Sequence, residues 1–324
     1  MKLLVTGGAG FIGSNYVRRF VASDHGFDGV TVLDSLTYAG SLDNISDLIQ
    51  SGQVKFIQGD IRNHETVLSA LSDTSAIINF AAESHVDRSI DSSRDFMDTN
   101  IIGTQNLLDC ARQQGVARFI QISTDEVYGS VVADESREDS QLLPNSPYSA
   151  SKASADLVCR SYVKTHGMDI RITRCVNNYG AYQNPEKFLP LMITQLLQGK
   201  NIPIYGSGMN VREWIHVDDH CDAITSVLEN GKAGEIYNVG SGIRMSNIDL
   251  ARKVLEIMQL PESRMEFVKD RPGHDLRYAL SSEKVHQTLG FVPRISIDQG
   301  INDLITWYKD NKSWWSGKLT DDRR

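Results

Sequence analysis

Two adjacent carboxyl groups sit in Ser123-Thr124-Asp125-Glu126-Val127-Tyr128-Gly129, shortly before Tyr148-Ser149-Ala150-Ser151-Lys152. A tyrosine and a lysine four positions apart share one face of a helix. A phenol near an ammonium and a helix N-terminus is a usable base for oxidising a carbinol, since both influences favour the phenolate. Oxidation of that kind needs no carboxyl groups. An Asp-Glu dyad adds proton chemistry: two carboxyls crowded in a partly desolvated cleft cannot both ionise easily, so one stays an acid beside a basic neighbour. Acid next to base is what eliminating water requires.

These groups need elements to hold them. Ser146-Pro147 reads as an N-cap followed by proline at the first helical position, which puts Tyr148 in the first turn and Lys152 one turn on. Thr124-Asp125-Glu126 follows a strand-like run, and ligands of open α/β sheets gather at the carboxyl ends of strands. Strand patterns at 2–6, 30–33, 54–58, 76–80, 118–122 and 169–173 alternate with helical ones, which predicts parallel strands with crossover helices. Several of these runs lack polar alternation, so both sheet faces should be covered.

The first strand leads into Gly7-Gly8-Ala9-Gly10-Phe11-Ile12-Gly13 and a helical pattern at 14–22, the context a dinucleotide fingerprint requires. Small residues let the backbone approach a pyrophosphate, and the helix N-terminus supplies open N–H groups. Asp34 ends the second strand about 20 residues further on, where a carboxylate bonds ribose hydroxyls and repels a 2'-phosphate, favouring NAD over NADP. Asp60 and Ile61 after the third strand, and Ala81-Ala82 after the fourth, are candidate cofactor contacts, although ordinary loops look the same.

The fold expected is α/β, a Rossmann-type doubly wound parallel sheet with a smaller, discontinuous C-terminal substrate lobe. Residues 1–180 and a returning segment at about 215–243 would form the cofactor domain, and 181–324 would form mainly the substrate domain. The return rests on a helical pattern at 217–228 and a strand at 235–239. The 324 residues, 40% hydrophobic, suffice for this. A net charge of -8 excludes a nucleic-acid-coating surface, while Lys187, Arg212 and Arg271 remain candidates for holding one anionic ligand.

Cys110, Cys159, Cys175 and Cys221 have no metal or redox spacing, and His216 with His220 would be half a site lacking a third ligand, so no metal is expected. Scattered thiols, no apolar run of about 18 residues and no leader pattern lead to the expectation of a cytoplasmic chain without membrane partners.

Together the glycine loop, Ala81-Ala82-Glu83-Ser84-His85-Val86-Asp87-Arg88-Ser89, Thr124-Asp125-Glu126, Tyr148-x-x-x-Lys152 and Arg271-Pro272-Gly273-His274-Asp275 resemble the dTDP-glucose 4,6-dehydratases. These are extended short-chain dehydrogenase/reductases, and the resemblance covers nearly the whole chain. It implies a lyase with an internal redox cycle through NAD, in which Tyr148 and Lys152 serve oxidation at C4, Thr124 bonds the 4-oxygen, Glu126 takes the C5 proton and Asp125 protonates the C6 hydroxyl. It further implies cofactor contacts from Gly7, Gly10, Phe11, Ile12, Gly13, Asp34, Ser35, Leu36, Thr37, Asp60, Ile61, Phe80, Ala81, Ala82, Ser84, Thr99 and Asn178. Substrate contacts would come from Ser84, Asn177, Lys187, Phe188, Pro203, Ile204, Tyr205, Arg212, Asn247, Arg271, His274 and Tyr278. A homodimer pairing helices near 99–114 and 151–166 is also implied. The chain departs at Ala181, where the family usually has proline. A nucleotide-sugar 4-epimerase would share the loop and Tyr148/Lys152, but has no use for Asp125 and Glu126.

Overall fold

Twelve strands are formed among the described residues, 1–131, 133–270 and 275–319 of a computed structural model. In chain order they are β1 (Lys2–Thr6), β2 (Gly29–Asp34), β3 (Val54–Gln58), β4 (Thr74–Asn79), β5 (Arg118–Thr124), β6 (Ile170–Cys175), β7 (Asn177–Tyr179), β8 (Ile202–Tyr205), β9 (Val211–His216), β10 (Ile236–Val239), β11 (Arg244–Ser246) and β12 (Met265–Val268). Seven make one parallel sheet in the order β10-β6-β5-β4-β1-β2-β3. The order reverses between β1 and β4, so a crevice opens at their carboxyl ends. β1 and β6 are buried along nearly their whole length, as strands covered on both faces must be.

The expected strands all form, with ends shifted by a residue or two, and the strand near 235–239 does return to the main sheet as β10. Residues 181–214, at the start of the expected substrate lobe, contain the helix Phe188–Leu197 as well as β8 and most of β9. That helix is buried on nearly every side, so it shows no polar stripe to betray it, and Pro190 sits in the first turn, where no backbone donor is needed. It belongs to a second core in which Met192, Ile193, Ile204, Trp214, Leu250, Leu304 and Tyr308 pack together.

The helix Pro147–His166 carries Tyr148 and Lys152, and its start follows the expected chemistry. Ser146 and Ser149 form a reciprocal capping box, Pro147 opens the first turn, and Gly167 ends the helix with a left-handed φ of 67°. Ser149, Ser151, Ala153 and Ala155 are small and buried, which lets the helix press against the sheet. One buried charge pair fixes its position: Arg174 of β6 donates to Asp156 at 2.9 Å and to the Tyr128 hydroxyl at 2.8 Å. Ser123 also donates to Asp156, and Tyr128 donates to Asn238 of β10.

Asp156→Ala leaves the Arg174 guanidinium uncompensated in the interior. The expected loss is about 3–5 kcal/mol, read by urea denaturation. A loss below about 1 kcal/mol, the range of an exposed pair, would show that this ion pair does not fix the helix.

Candidate active site

β5 stops where Thr124 turns its hydroxyl to accept from the Glu126 N–H at 3.3 Å, which starts the single turn Asp125–Tyr128. Gly129 then leaves at a φ of 76°, and a Cβ there would stand 2.1 Å from the Leu143 carbonyl oxygen, so only glycine fits. The outcome places Thr124 and Asp125 in the interior, with Glu126 half-buried beside them.

Asp125 is 4% exposed. Its Oδ1 accepts from the Thr124 hydroxyl at 3.2 Å, while Oδ2 is buried without a partner. Burial, with the Glu126 and Glu213 carboxyls adding to it, pushes the Asp125 pKa up to about 8. It is therefore a carboxylic acid at neutral pH, able to give a proton to a ligand in the cleft. Arg212 opposes the shift, so its charge reaches this site too.

Tyr148 departs from expectation. Burial first, then the Glu126 carboxyl, hold its phenol well above its ordinary range, outweighing the opposing hydrogen bond with Thr124. Lys152 does not reverse this, because burial lowers its own pKa and its ammonium donates to the Ile122 carbonyl at 2.6 Å. The protein alone thus presents a neutral phenol. Any base strength must arrive with what binds in the cleft.

One cleft of about 540 Å³ collects most of the candidate residues at the carboxyl ends of the strands. Gly7, Gly10, Phe11, Ile12 and Gly13 line it after β1; Asp34, Ser35 and Thr37 at β2; Asp60 and Ile61 after β3; Phe80, Ala81, Ala82 and Ser84 after β4. Thr124, Asp125, Glu126, Tyr148, Lys152, Asn177, Asn178, Thr99 and Lys187 complete it. Lys187 donates to the Ser84 carbonyl at 3.4 Å, and burial lowers its pKa against the opposing pull of Glu186 and Glu126.

Other candidates lie elsewhere. Leu36 does not line the cleft, but its N–H, at a left-handed φ of 55°, holds Asp34 Oδ1 at 2.8 Å. Arg212 donates to the Val211 and Asp275 carbonyls and lies 4.4 Å over the Tyr278 ring, whose hydroxyl donates to Asp275. Phe188 stacks on Trp214, and Ile204 is wholly buried in the second core, which leaves it no side-chain surface for a ligand. Pro203 and Tyr205 flank it on β8, and Asn247 opens the helix Asn247–Ile257. Arg271 and His274 lie outside the described residues. His216 and His220 diverge, one capping the helix Val217–Asn230 and the other bonding Asn178 at 2.8 Å.

Sequence reasoning missed Asn100. Its amide bonds the Glu83 N–H and carbonyl at 2.8 and 3.0 Å and the Ser151 hydroxyl at 2.8 Å, tying the β4 loop to the helix of Lys152. Its partners are distant in the chain and no local pattern marks it. Arg62, Glu83 and Asp95 also line the cleft; the first two adjoin residues already singled out.

The glycine loop fits a dinucleotide. A Cβ on Gly7 would stand 2.6 Å from the Ala81 nitrogen and one on Gly13 2.3 Å from the Gly7 oxygen, and Gly10 leaves the helix Phe11–Val21 without a side-chain cap. First-turn N–H groups there have no intrahelical partner. Asp34, buried and held by Ala9 and Leu36 N–H groups, presents a carboxyl at the rim.

The chain matches the family model described as GDP-mannose 4,6 dehydratase over residues 4–304. It is 49% identical over 319 residues to a dTDP-glucose 4,6-dehydratase of Streptomyces antibioticus, covering 97% of this chain and 94% of that one. The chain belongs to the dTDP-glucose 4,6-dehydratase family. The solved dTDP-glucose 4,6-dehydratase DesIV of Streptomyces venezuelae, with NAD bound, superposes at a TM-score of 0.97 with 49% identity, over 98% of this chain and 100% of that one. A UDP-glucose 4-epimerase of Thermotoga maritima shares the fold at a TM-score of 0.90 but only 28% identity, over 96% and 100%. Dehydratase likeness therefore extends beyond the shared scaffold.

Because Asp125 is neutral when folded and ionised when unfolded near neutrality, its raised pKa gives stability that is full below about pH 4 and lost as pH climbs through about 8. Relative to Asp125→Asn, the unaltered protein is expected to lose stability between about pH 5 and about pH 9. Denaturant titrations at both pH values check this; a constant difference between the two proteins would refute the shift.

Proposed function

We propose that this protein dehydrates dTDP-glucose to dTDP-4-keto-6-deoxyglucose. The observation that carries the reading is a buried, neutral Asp125 next to Glu126 in the same cleft as Tyr148, Lys152 and the glycine loop. An epimerase needs only the last three.

Gly7, Gly10, Phe11, Ile12 and Gly13 would hold the pyrophosphate of NAD, Asp34 the adenosine ribose, and Lys152 the nicotinamide ribose. When bound, NAD would supply a cationic ring that accepts hydride from sugar C4 and later returns it to C6. Tyr148 would first release its own phenol proton to solvent as that positive ring comes beside it; its Oη then takes the proton of the 4-hydroxyl, and Thr124 Oγ1 bonds the 4-oxygen. The resulting 4-ketone acidifies the C5 proton, which Glu126 removes. Asp125 gives its proton to the C6 hydroxyl, so water leaves from C6 and a C5–C6 double bond forms. Reprotonation at C5 from Glu126 accompanies reduction at C6, and the net change is loss of one water.

Ser84, Asn177, Lys187, Asn247, Arg212, Arg271, His274 and Tyr278 are assigned to the nucleotide-sugar, with the cations at its diphosphate. Residues 1–180 with the return at about 215–243 act as the cofactor domain and 181–324 mainly as the substrate domain, a division supported by the separate second core. A homodimer is favoured by Ile90, Ile102 and Leu157, which expose about half of their surface on neighbouring helices. Four buried cysteines outside any disulfide, and no helix among the described residues long and apolar enough to cross a membrane, favour a cytoplasmic setting.

Purified protein given dTDP-glucose and, separately, UDP-glucose is expected to develop alkali-revealed ketone absorbance with the former. Glu126→Gln should retain C4 oxidation yet lose elimination, with product formation falling about 10²-fold or more. Normal keto-deoxysugar output from that variant would exclude its role. In deuterated water the product should carry deuterium at C5, and an unlabelled product would contradict the proton removal.

A further inference from the structure

Asn44, 1% exposed at the end of the turn Leu42–Asn44, has no part in the chemistry above, yet both ends of its amide are engaged. Its Nδ2 donates to the Ala9 carbonyl at 2.8 Å, inside the glycine loop, and its Oδ1 accepts from the Trp314 indole N–H at 2.9 Å. Indole is a donor only. Trp314 therefore dictates which way the Asn44 amide faces, since the flipped amide would set N–H against N–H and carbonyl oxygen against the Ala9 oxygen. The Ala9 carbonyl takes a second bond from the Ser41 N–H at 3.0 Å, and the Ala9 N–H is held by Asp34. Both faces of the Ala9 residue are thus fixed from outside the loop.

Trp314 is itself held. Its ring meets Trp307 edge-on at 4.9 Å and Tyr182 at 6.1 Å, and the Lys318 ammonium lies 3.6 Å over it. Next to it, Trp315 is 1% exposed and donates to the Tyr308 carbonyl at 2.7 Å. Tyr182 also lies under Arg18, which donates to the Asn44 carbonyl at 2.9 Å and pairs with Asp47. This cluster joins the C-terminal segment to the first helix.

We propose that Trp314 and Asn44 are positioning residues for the cofactor: the C-terminal segment orients Asn44, and Asn44 holds the Ala9 peptide so that the Gly7–Gly13 backbone keeps its ligand-facing shape. The inference rests on the reading that this loop holds NAD. Trp314→Phe keeps an aromatic ring in the cluster and removes the donor.

Two measurements on full-length protein decide it. Deuterium exchange without NAD is expected to speed up over residues 7–13 in Trp314→Phe, and calorimetric titration is expected to show NAD bound about fivefold more weakly, the loss of one neutral hydrogen bond. Affinity for dTDP should not change. Trp307→Phe, which alters the cluster but not the bond to Asn44, should leave NAD affinity intact, and Trp314→Phe should add nothing to Asn44→Ala. Unchanged loop exchange in Trp314→Phe, or independent and additive effects of the two changes, would overturn the proposal. If the unaltered protein bound no NAD, the functional reading would fail, and loop exchange would still decide whether the clasp exists.

Discussion

Removing one carboxyl group from water governs this site. At the end of β5 the chain turns so tightly that Asp125 faces the interior with one oxygen unpartnered and a second carboxyl alongside. A lone buried carboxylate is costly, so the group keeps its proton. Glu126 stays half-buried at the cleft. The two neighbours thus differ in exposure more than in side-chain chemistry.

That arrangement is useful only if Tyr148 stands opposite it, and the two arrive on different elements. The buried network of Asp156, Arg174, Tyr128 and Asn238 joins the helix of Tyr148, β6, the turn after β5, and β10. Asn100 adds a second tie from the β4 loop to Ser151. Directional bonds of this kind fix relative position where apolar packing alone would tolerate sliding. The same burial that raises the Asp125 pKa also holds the Tyr148 phenol above its ordinary range.

Much of this was legible in the sequence because its signals are local. Ser146-Pro147 announces the helix start, Gly7 to Gly13 announce a loop whose backbone must come close to Ala81, and Asp34 ends a strand at the usual distance. Long-range partnerships were not legible. Burial, a property of the fold, holds the Tyr148 phenol up where helix spacing alone pointed toward the phenolate. The surroundings of Arg212, whose guanidinium donates to the Asp275 carbonyl and lies over the Tyr278 ring, are of this long-range kind. Phe188–Leu197 gave no signal because a helix buried on all sides has no period to read, and Ile204 on β8 packs into the same second core.

The proposed elimination depends on Asp125 carrying a proton at neutral pH beside Glu126. Infrared difference spectroscopy of the unaltered protein against Asp125→Asn at about pH 7 reads that proton directly. The account requires a protonated-carboxyl carbonyl band that is lost in the variant. If the variant loses only a carboxylate band, Asp125 is ionised and the account is contradicted.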